Sequence, residues 1–282
     1  MGNNRISVEP IAGALGAEIG GVDLAEPLEE AVIGEIRRAL LDHLVIFFRD
    51  QHLTPEQHLV FGRRFGSLQV HDFVGGTEGY PEIIEVRKEP EETRNFGGGW
   101  HTDVSYLERP ALGSVLYARE VPEFGGDTMF ANQYLAYETL SEGMRAMLDG
   151  MIAVHSARRP YGINSARARS GPASMRIRLG EDAEAEIEHP VVRTHPETGR
   201  KALYVNGNFT IRFKDMTEEE SAPLLDFLER HAVRPEFTCR FRWQPNAIAF
   251  WDNRCVQHNA INDYQGQRRV MHRVTIEGER PV

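Results

Sequence analysis

The sequence predicts a mainly β fold, a sandwich or jelly roll decorated by flanking helices, in a single domain. Short apolar or alternating segments dominate from about residue 100 onward, and helical patterns are few. No internal repeat or linker divides the 282 residues, of which 41% are hydrophobic, enough to bury a sizeable core. Many short strands with few helices are typical of two packed sheets.

The N-terminal part is predicted to mix helix and strand. Apolar residues recur at helical spacing over residues 29–43, and the apolar run at 44–48 indicates a buried strand. A second helix is expected to begin after Thr54, which can serve as N-cap. Pro55 suits the first helical position, and Gln57 completes a capping box.

The remaining chain is predicted to consist mainly of strands. Residues 237–243 alternate cleanly, because apolar side chains are separated by Thr238, Arg240 and Arg242. Further strands are predicted at residues 114–121, 202–205, 247–251 and 270–276.

Two helices are expected to interrupt these strands. One covers residues 141–148. The other ends near Ala232 and begins at either Thr217 or Ser221, because Pro223 leaves both starts open.

The segment 156–188 has a different composition from the rest of the chain. It is rich in arginine first and in acidic residues afterwards, with Gly and Pro between them and no clear periodicity. An insertion of this length in a compact domain is typically a lid or a disordered segment. We therefore expect a lid or insertion at about 156–188, with a solvated charged loop as the alternative.

Charge and cysteine content limit the kinds of binding partner and the cellular compartment that we expect. A formal net charge of −10 argues against nucleic acid or an anionic membrane surface as the main partner, whereas a local arginine cluster can still bind a small anion. The two cysteines, Cys239 and Cys255, suit a reducing compartment as buried thiols. No signal-peptide pattern and no apolar run of about 18 residues is found, so we expect a cytoplasmic protein.

The first candidate for chemistry is a His-x-Asp motif at residues 100–103. On an extended strand, residues two apart point to the same side, so His101 and Asp103 can reach one metal ion. Iron(II) oxygenases use two histidines and a carboxylate, which leave positions open for cosubstrate and dioxygen. The motif alone is weak because chance often produces it.

The best candidate for the second histidine is His258, which lies just past the apolar strand predicted at 247–251. A side chain there can project into the mouth of a barrel. Other histidines are expected to be structural or exposed, because they lie in helical segments, beside proline or threonine, or on a packed face; these are His58, His189, His195, His231 and His272.

Two arginines follow on one strand. Arg269 and Arg273 share a face and are spaced about 13 Å apart by the strand rise. A guanidinium in a pocket can bind an anion through two hydrogen bonds. The alternative is a pair of surface arginines on an edge strand, and their position soon after His258 favours the pocket.

Together these segments resemble the taurine dioxygenase family of 2-oxoglutarate-dependent enzymes, which also includes phenoxyalkanoate and alkylsulfate dioxygenases. The matching segments occur in the order of the family over nearly the whole chain, at residues 16–24, 64–68, 100–103, 125–128, 189–196 and 251–273.

The resemblance implies a double-stranded β-helix, or jelly roll, with iron at one mouth. It implies that His101, Asp103 and His258 are the ligands of Fe(II). Thr128 and Arg269 match the pair that holds the distal carboxylate of the cosubstrate 2-oxoglutarate, and O₂ is the second cosubstrate.

The resemblance also implies a site for a small anionic substrate. His71 and Arg273 match residues that bind the sulfonate of taurine, whereas Gly97 and Val74 replace a polar amide and an aromatic hydroxyl near its ammonium group. The expected activity is hydroxylation of the carbon beside the acidic group, most simply of a taurine-like alkylsulfonate with release of sulfite. Alkylsulfate and phenoxyalkanoate dioxygenases are alternatives. We also expect a homo-oligomer, either a dimer or a tetramer.

Two hypotheses of other classes remain open at this point. A non-catalytic jelly roll could bind small anions through Arg269 and Arg273. A zinc hydrolase fits less well, because no candidate base accompanies the three ligands.

Overall fold

Strands form most of the framework in the computed structural model, which describes residues 5–165 and 174–282. The strands in these ranges are β1 (Ser7–Pro10), β2 (Ala17–Gly20), β3 (Val45–Phe48), β4 (Ile83–Lys88), β5 (Ala111–Glu120), β6 (Thr128–Asn132), β7 (Ile152–Ser156), β8 (Glu186–Pro190), β9 (Val192–Thr194), β10 (Lys201–Leu203), β11 (Thr210–Phe213), β12 (Thr238–Phe241), β13 (Ile248–Asp252), β14 (Val256–Ala260) and β15 (Arg269–Glu277).

Helices flank this framework. They are α1 (Glu30–His43), α2 (Pro55–Arg63), α3 (Gln133–Glu138), α4 (Glu142–Leu148), α5 (Arg158–Tyr161) and α6 (Glu218–Ala232), with 3-10 turns at Glu181–Glu184 and Pro235–Phe237. None of the helices described is long and apolar enough to cross a bilayer.

The strands form two layers with the main core between them. The larger layer is a seven-stranded sheet in the order β1-β2-β3-β13-β5-β15-β4, antiparallel except where β2 runs parallel to β3. The facing layer includes the three-stranded sheet β12-β6-β14. Phe47 of the large sheet stacks on Phe241 of the small one, with ring centroids 3.9 Å apart. This arrangement confirms the predicted mainly β jelly roll with flanking helices.

The outer face of the large sheet is covered by helices. Helix α1 packs on β3 and β13, and α2 packs on β15. Ile36 and Leu40 on α1 are buried against this face together with Ile46 and Phe48. The site described below lies on the other side of the sheet, between the two layers.

Local sequence signals located several elements correctly. The capping box at Thr54 is present, since its hydroxyl accepts a hydrogen bond from the Gln57 amide and the Gln57 side chain accepts one from Thr54. For α6, the two open starts are resolved in favour of Thr217, which forms a second capping box with Glu220. Pro223 is the sixth residue of this helix, and because proline has no N–H, the Glu219 carbonyl lacks the usual hydrogen bond from position 223. Both cysteines are free and buried, as expected.

Strands with polar sequences were missed. β14 reads Val-Gln-His-Asn-Ala, and neither composition nor alternation marks it as a strand. It forms because β6 pairs with it in register, Phe130 opposite His258. His258 therefore follows the apolar strand β13, as expected, and lies within the next strand, which the sequence did not predict.

The segment 156–188 is partly described. Tyr161 and Met175 are buried, and the Tyr161 ring stacks on Phe73 at 4.8 Å. Strand β8 pairs with β7 at its end. These parts are packed against the protein, in contrast to a fully solvated loop. Residues 166–173 lie outside the described residues, so the lid or insertion stays a prediction.

His58 on α2 gives a prediction about stability. Its side chain is 1% exposed, and Nε2–H donates to the Val115 carbonyl oxygen at 3.2 Å. Burial lowers the pKa of His58 to about 3. Because the pKa is about 6.5 in an unfolded chain, unfolding takes up a proton below that pH. The stability contributed by the neutral imidazole is therefore complete above pH 6.5 and is lost as the pH falls towards 3.

We expect His58→Leu to flatten the dependence of the free energy of unfolding on pH. Between pH 6 and 4 the slope should fall by up to about 1.4 kcal/mol per pH unit, measured by urea unfolding. The lost hydrogen bond to Val115 lowers stability at every pH and leaves the slope unaffected. His52→Leu, at an exposed position, is the matched control. An unchanged slope in His58→Leu would show that His58 is not held neutral.

Candidate active site

His101 and His258 are brought together by backbone pairing. The His101 amide donates to the His258 carbonyl at 3.1 Å, and the His258 amide donates back at 2.8 Å. Their rings lie 4.2 Å apart. The Nδ1–H of His101 donates to the Gly99 carbonyl at 2.9 Å, which directs the Nε2 lone pair towards the site. Two imidazoles separated by 157 positions in sequence thus face one point.

Asp103 reaches the same point from a turn. His101 forms only an isolated bridge, and Asp103 begins a turn in which Val104 has φ +46°. A positive φ is unusual for a β-branched residue and indicates local strain, which often occurs at functional sites. The expectation that His101 and Asp103 share an extended strand was wrong, although their side chains do converge.

The three side chains form a compact buried group. The Oδ1 atom of Asp103 lies 3.8 Å from Nε2 of His101 and 3.9 Å from Nε2 of His258. All donor atoms lie within 4.8 Å of one another, and each residue is at most 6% exposed. The structure therefore brings together the three predicted ligands.

The charges at this group suit a divalent cation. Burial lowers the pKa of His258 to about 3 and also lowers the pKa of His101, so both imidazoles are neutral. Burial opposes ionisation of Asp103, but the charge of Arg273 holds the pKa of its carboxyl well below the usual range. Two neutral imidazoles and one carboxylate are the protonation states that a metal ion requires.

Two residues that the sequence did not single out orient the Asp103 carboxylate. The Ser114 hydroxyl donates to Oδ2 at 2.8 Å, and Asn253 donates to that hydroxyl at 3.0 Å. The side-chain oxygen of Asn253 also accepts from the Asp103 amide at 3.2 Å. These bonds occupy Oδ2 and leave Oδ1 facing the imidazoles. Such supporting groups commonly tune metal affinity, and no local sequence signal reveals them.

Arg273 and His71 lie beside the group, as expected. Arg273 is 5% exposed, and its Nη1 donates to Asp103 Oδ1 at 2.8 Å, while Nε has no partner among the described residues. His71 is 8% exposed, and its Nδ1 accepts from the amides of Phe73 and Val74. Burial and the charge of Arg273 lower the pKa of His71 to about 3. The neutral ring thus carries its proton on Nε2 as a donor.

Arg269 and Thr128 meet at Trp243. Arg269 is 4% exposed and lies 5.8 Å from the Trp243 ring, yet its Nε and Nη2 have no hydrogen-bond partner among the described residues. The Thr128 hydroxyl accepts from Trp243 Nε1 at 2.9 Å, which leaves its proton to donate. A buried guanidinium without a carboxylate is costly. The pair fits a dicarboxylate such as 2-oxoglutarate.

A second cluster of potential ligands contains His195, Asp252 and Cys255. Its acceptor atoms are already engaged, because Arg254 binds both carboxylate oxygens of Asp252 at 2.8 and 2.7 Å. His195 donates to Asp252 at 3.0 Å, and burial raises the pKa of Cys255 well above its usual value. This cluster is a buried ion-pair network. Its hydrogen bonds hold Asp252, the last residue of β13, directly before Asn253.

The donor set at the first group fits iron(II). Two neutral imidazoles and a carboxylate form the facial triad of non-haem iron oxygenases, and here they occupy the space between the layers of a jelly roll. The unpartnered guanidinium of Arg269 supplies an anchor for a carboxylate nearby. Fold and site together define the class of mononuclear iron(II), 2-oxoglutarate-dependent oxygenases.

Comparison with known proteins identifies the family. Residues 7–275 match the model of the taurine catabolism dioxygenase TauD, TfdA family, and the chain belongs to this family. An alpha-ketoglutarate-dependent sulfate ester dioxygenase of Pseudomonas putida is 38% identical, over 99% of this chain and 91% of its own. An alkylsulfatase of Acinetobacter baylyi is 36% identical, over 98% and 86%.

A solved structure agrees with these relatives. The crystal structure of a taurine dioxygenase from Burkholderia xenovorans superposes with a TM-score of 0.83 at 38% identity, covering 99% of this chain and 91% of that one. The chain is therefore an enzyme, a dioxygenase that uses iron(II), 2-oxoglutarate and O₂ on a small-molecule substrate. The hypotheses of a non-catalytic anion-binding protein and of a zinc hydrolase were wrong.

Proposed function

We propose that the enzyme oxidises the carbon next to the acidic head group of an alkylsulfonate or alkyl sulfate ester with an apolar tail. The observation that carries this proposal is the position of Arg273 and His71. Both side chains are buried, Arg273 binds Asp103, and the charges of Arg273 and Asp103 act on His71. Nε of Arg273 has no partner among the described residues, and the His71 ring carries its proton on Nε2 because Nδ1 accepts two backbone amides. A charged and a neutral donor beside the metal group can hold an oxyanion there.

We also propose roles for the seven predicted site residues. His101, Asp103 and His258 hold the iron, and Thr128 and Arg269 hold the distal carboxylate of 2-oxoglutarate. Iron, 2-oxoglutarate and O₂ supply the oxidation, in which succinate and carbon dioxide form as one oxygen atom is added to the substrate. The protein binds the substrate, aims one carbon at the metal and excludes water. Arg273 and His71 fix the head group so that the adjacent carbon faces this site.

The surroundings of the head group favour an apolar tail. A Cβ placed at Gly97 would lie 3.7 Å from Cε1 of His101, so this position borders the metal group but offers no amide. Val74 is 2% exposed and contributes no hydroxyl. The nearby wall consists of the aromatic rings of Phe73, Tyr161 and Phe209. An ammonium group would lose water here without gaining polar contacts, whereas an alkyl chain would gain from burial.

The product distinguishes the two head groups. Hydroxylation beside a sulfonate gives an α-hydroxysulfonate that breaks down to an aldehyde and sulfite. Hydroxylation of the ester carbon in an alkyl sulfate gives a hemiacetal sulfate that releases an aldehyde and sulfate. Both reactions consume one O₂ and one 2-oxoglutarate per aldehyde formed.

The test is a coupled assay with substrates matched in length. We expect succinate to form in proportion to sulfite from hexanesulfonate, or to sulfate from hexyl sulfate, with taurine lower in kcat/KM by about tenfold or more. Gly97→Asn, whose side chain tolerates the positive φ of +78°, should improve taurine relative to hexanesulfonate. Coupling with phenoxyalkanoic acids alone would contradict the proposal and favour that alternative.

Three further predictions concern the domain organisation, the oligomeric state and the cellular location of the enzyme. We propose one dioxygenase domain, a homo-oligomeric state (dimer or tetramer) and a cytoplasmic location without nucleic acid or membrane as partner. Exposed apolar side chains such as Phe124, Val60 and Val70 are available for contacts between subunits. The net charge of −10 speaks against polyanionic partners. Light scattering after gel filtration tests the oligomeric state, and a monomer would contradict it.

A further inference from the structure

The hydroxyl of Tyr106 is buried and has no hydrogen-bond partner among the described residues. The residue is 6% exposed, and it lies three positions after Asp103. A buried hydroxyl left without a partner costs about 1–3 kcal/mol. Phenylalanine would fill nearly the same volume without that cost, so the hydroxyl calls for an explanation.

The Tyr106 ring is linked through neighbouring aromatic rings both to the metal group and to the anion-binding side chains. Its centroid is 5.1 Å from Phe209, which in turn lies 6.3 Å from His101. It is also 6.2 Å from Tyr161, whose ring is 5.6 Å from His71. Tyr106 thus belongs to the aromatic wall of the pocket in which the proposed head group lies.

The electrostatic surroundings of Tyr106 agree with this position. Burial raises its pKa far above the usual value, and the charges of Asp72, Asp103 and Arg273 also act on it. The phenol is therefore protonated at every working pH and is available as a donor. Because no described residue accepts a hydrogen bond from the Tyr106 hydroxyl, an oxyanion bound near Arg273 and His71 can be its acceptor.

We propose that Tyr106 determines specificity by donating a hydrogen bond to the sulfonate or sulfate head group, alongside Arg273 and His71. The inference rests on the proposed function. A sulfonate or sulfate ester has three terminal oxygens around a tetrahedral sulfur, whereas a carboxylate has two in a plane. Three donors can serve three oxygens, so Tyr106 favours sulfur oxyanions over carboxylates of the same tail length.

The experiment compares Tyr106→Phe with the unsubstituted enzyme. Dissociation constants for hexanesulfonate, hexyl sulfate and heptanoate are measured by calorimetry without oxygen, with iron(II) and 2-oxoglutarate present. Loss of a hydrogen bond to a charged group should weaken binding of both sulfur oxyanions by about tenfold or more. Heptanoate binding should change by less than about twofold or stay undetected in both proteins. The urea midpoint without substrate should not fall, because no protein hydrogen bond is removed.

The matched control is Tyr204→Phe. Tyr204 is also buried, and its hydroxyl is also without a hydrogen-bond partner, but its ring lies under Arg193, 4.8 Å from the guanidinium carbon. Its substitution should leave all three dissociation constants unchanged.

Two results would overturn the role of Tyr106: unchanged binding of the sulfur oxyanions in Tyr106→Phe, or an equal loss for heptanoate. In both cases the proposed function would stand. If the unsubstituted enzyme neither binds nor turns over any sulfonate or sulfate ester, the proposed substrate class itself fails.

Discussion

Replacing His101 or Asp103 with alanine is expected to abolish succinate formation that depends on substrate. The loss of groups that only orient a metal ligand costs about 10- to 100-fold. Loss of a ligand should cost more, on the order of 1,000-fold, because it removes a direct bond to the metal. Both side chains are almost fully buried, so no water-exposed neighbour can replace them.

The measurement combines succinate formation with iron content per chain after gel filtration. Iron should fall well below one per chain in both variants. His272→Ala is the matched control, because His272 lies on the same strand as Arg273 but is directed at Glu85, 3.7 Å away. Turnover or iron content at the unsubstituted level in either ligand variant would show that the metal assignment is wrong.

Replacing Arg269 with methionine is expected to change stability and cosubstrate binding in opposite directions. Arg269 is a buried charge, and Nε and Nη2 lack partners among the described residues. Replacement of buried ionic groups by well-packed apolar side chains of similar volume is often neutral or stabilising, by about 1–4 kcal/mol for an ion pair, and Arg269 has no such pair to lose. In the absence of 2-oxoglutarate the variant should therefore unfold at a higher urea concentration. Loss of the guanidinium should weaken 2-oxoglutarate binding by about 100-fold or more.

The two effects are measured by urea unfolding and by the visible charge-transfer absorption that requires both iron(II) and 2-oxoglutarate. Arg254→Met provides the contrast, since Arg254 binds both carboxylate oxygens of the buried Asp252. Removing it leaves an uncompensated buried carboxylate and should destabilise the protein by about 3–5 kcal/mol. If Arg269→Met lowered stability as Arg254→Met does, Arg269 would be a structural residue. Unchanged 2-oxoglutarate binding would exclude its proposed role.

Local structure was predictable where the interaction that forms it lies within a few residues. The capping boxes at Thr54 and Thr217 each join residues three apart, so the sequence contains both partners. The alternation over residues 237–243 was equally local, and Phe237, Cys239, Phe241 and Trp243 are all buried. A strand such as β14 has no such local signal, because its hydrogen bonds are made with β6, more than 120 residues away.

The site also has features that the sequence predicts and features that depend on distant segments. The residue types of the metal group and of the arginine strand, together with the resemblance to a family, were sufficient to predict seven site residues. The structure places all seven in the interior and groups them around Asp103 and Trp243. Their chemical roles remain proposals. The strand expected beneath His101 and Asp103 is a bridge followed by a strained turn, since a backbone conformation such as φ +46° at Val104 depends on its surroundings.

The sequence by itself determined the class of chemistry, because ligand types, charge and strand periodicity are properties of short segments. Only the tertiary structure decided which oxygen of Asp103 faces the metal group, through Ser114 and Asn253. It also revealed the unpartnered hydroxyl of Tyr106 and the unpartnered nitrogens of Arg269. Burial and hydrogen-bond satisfaction depend on what the rest of the chain places around a side chain. That information exists only once distant segments have packed together.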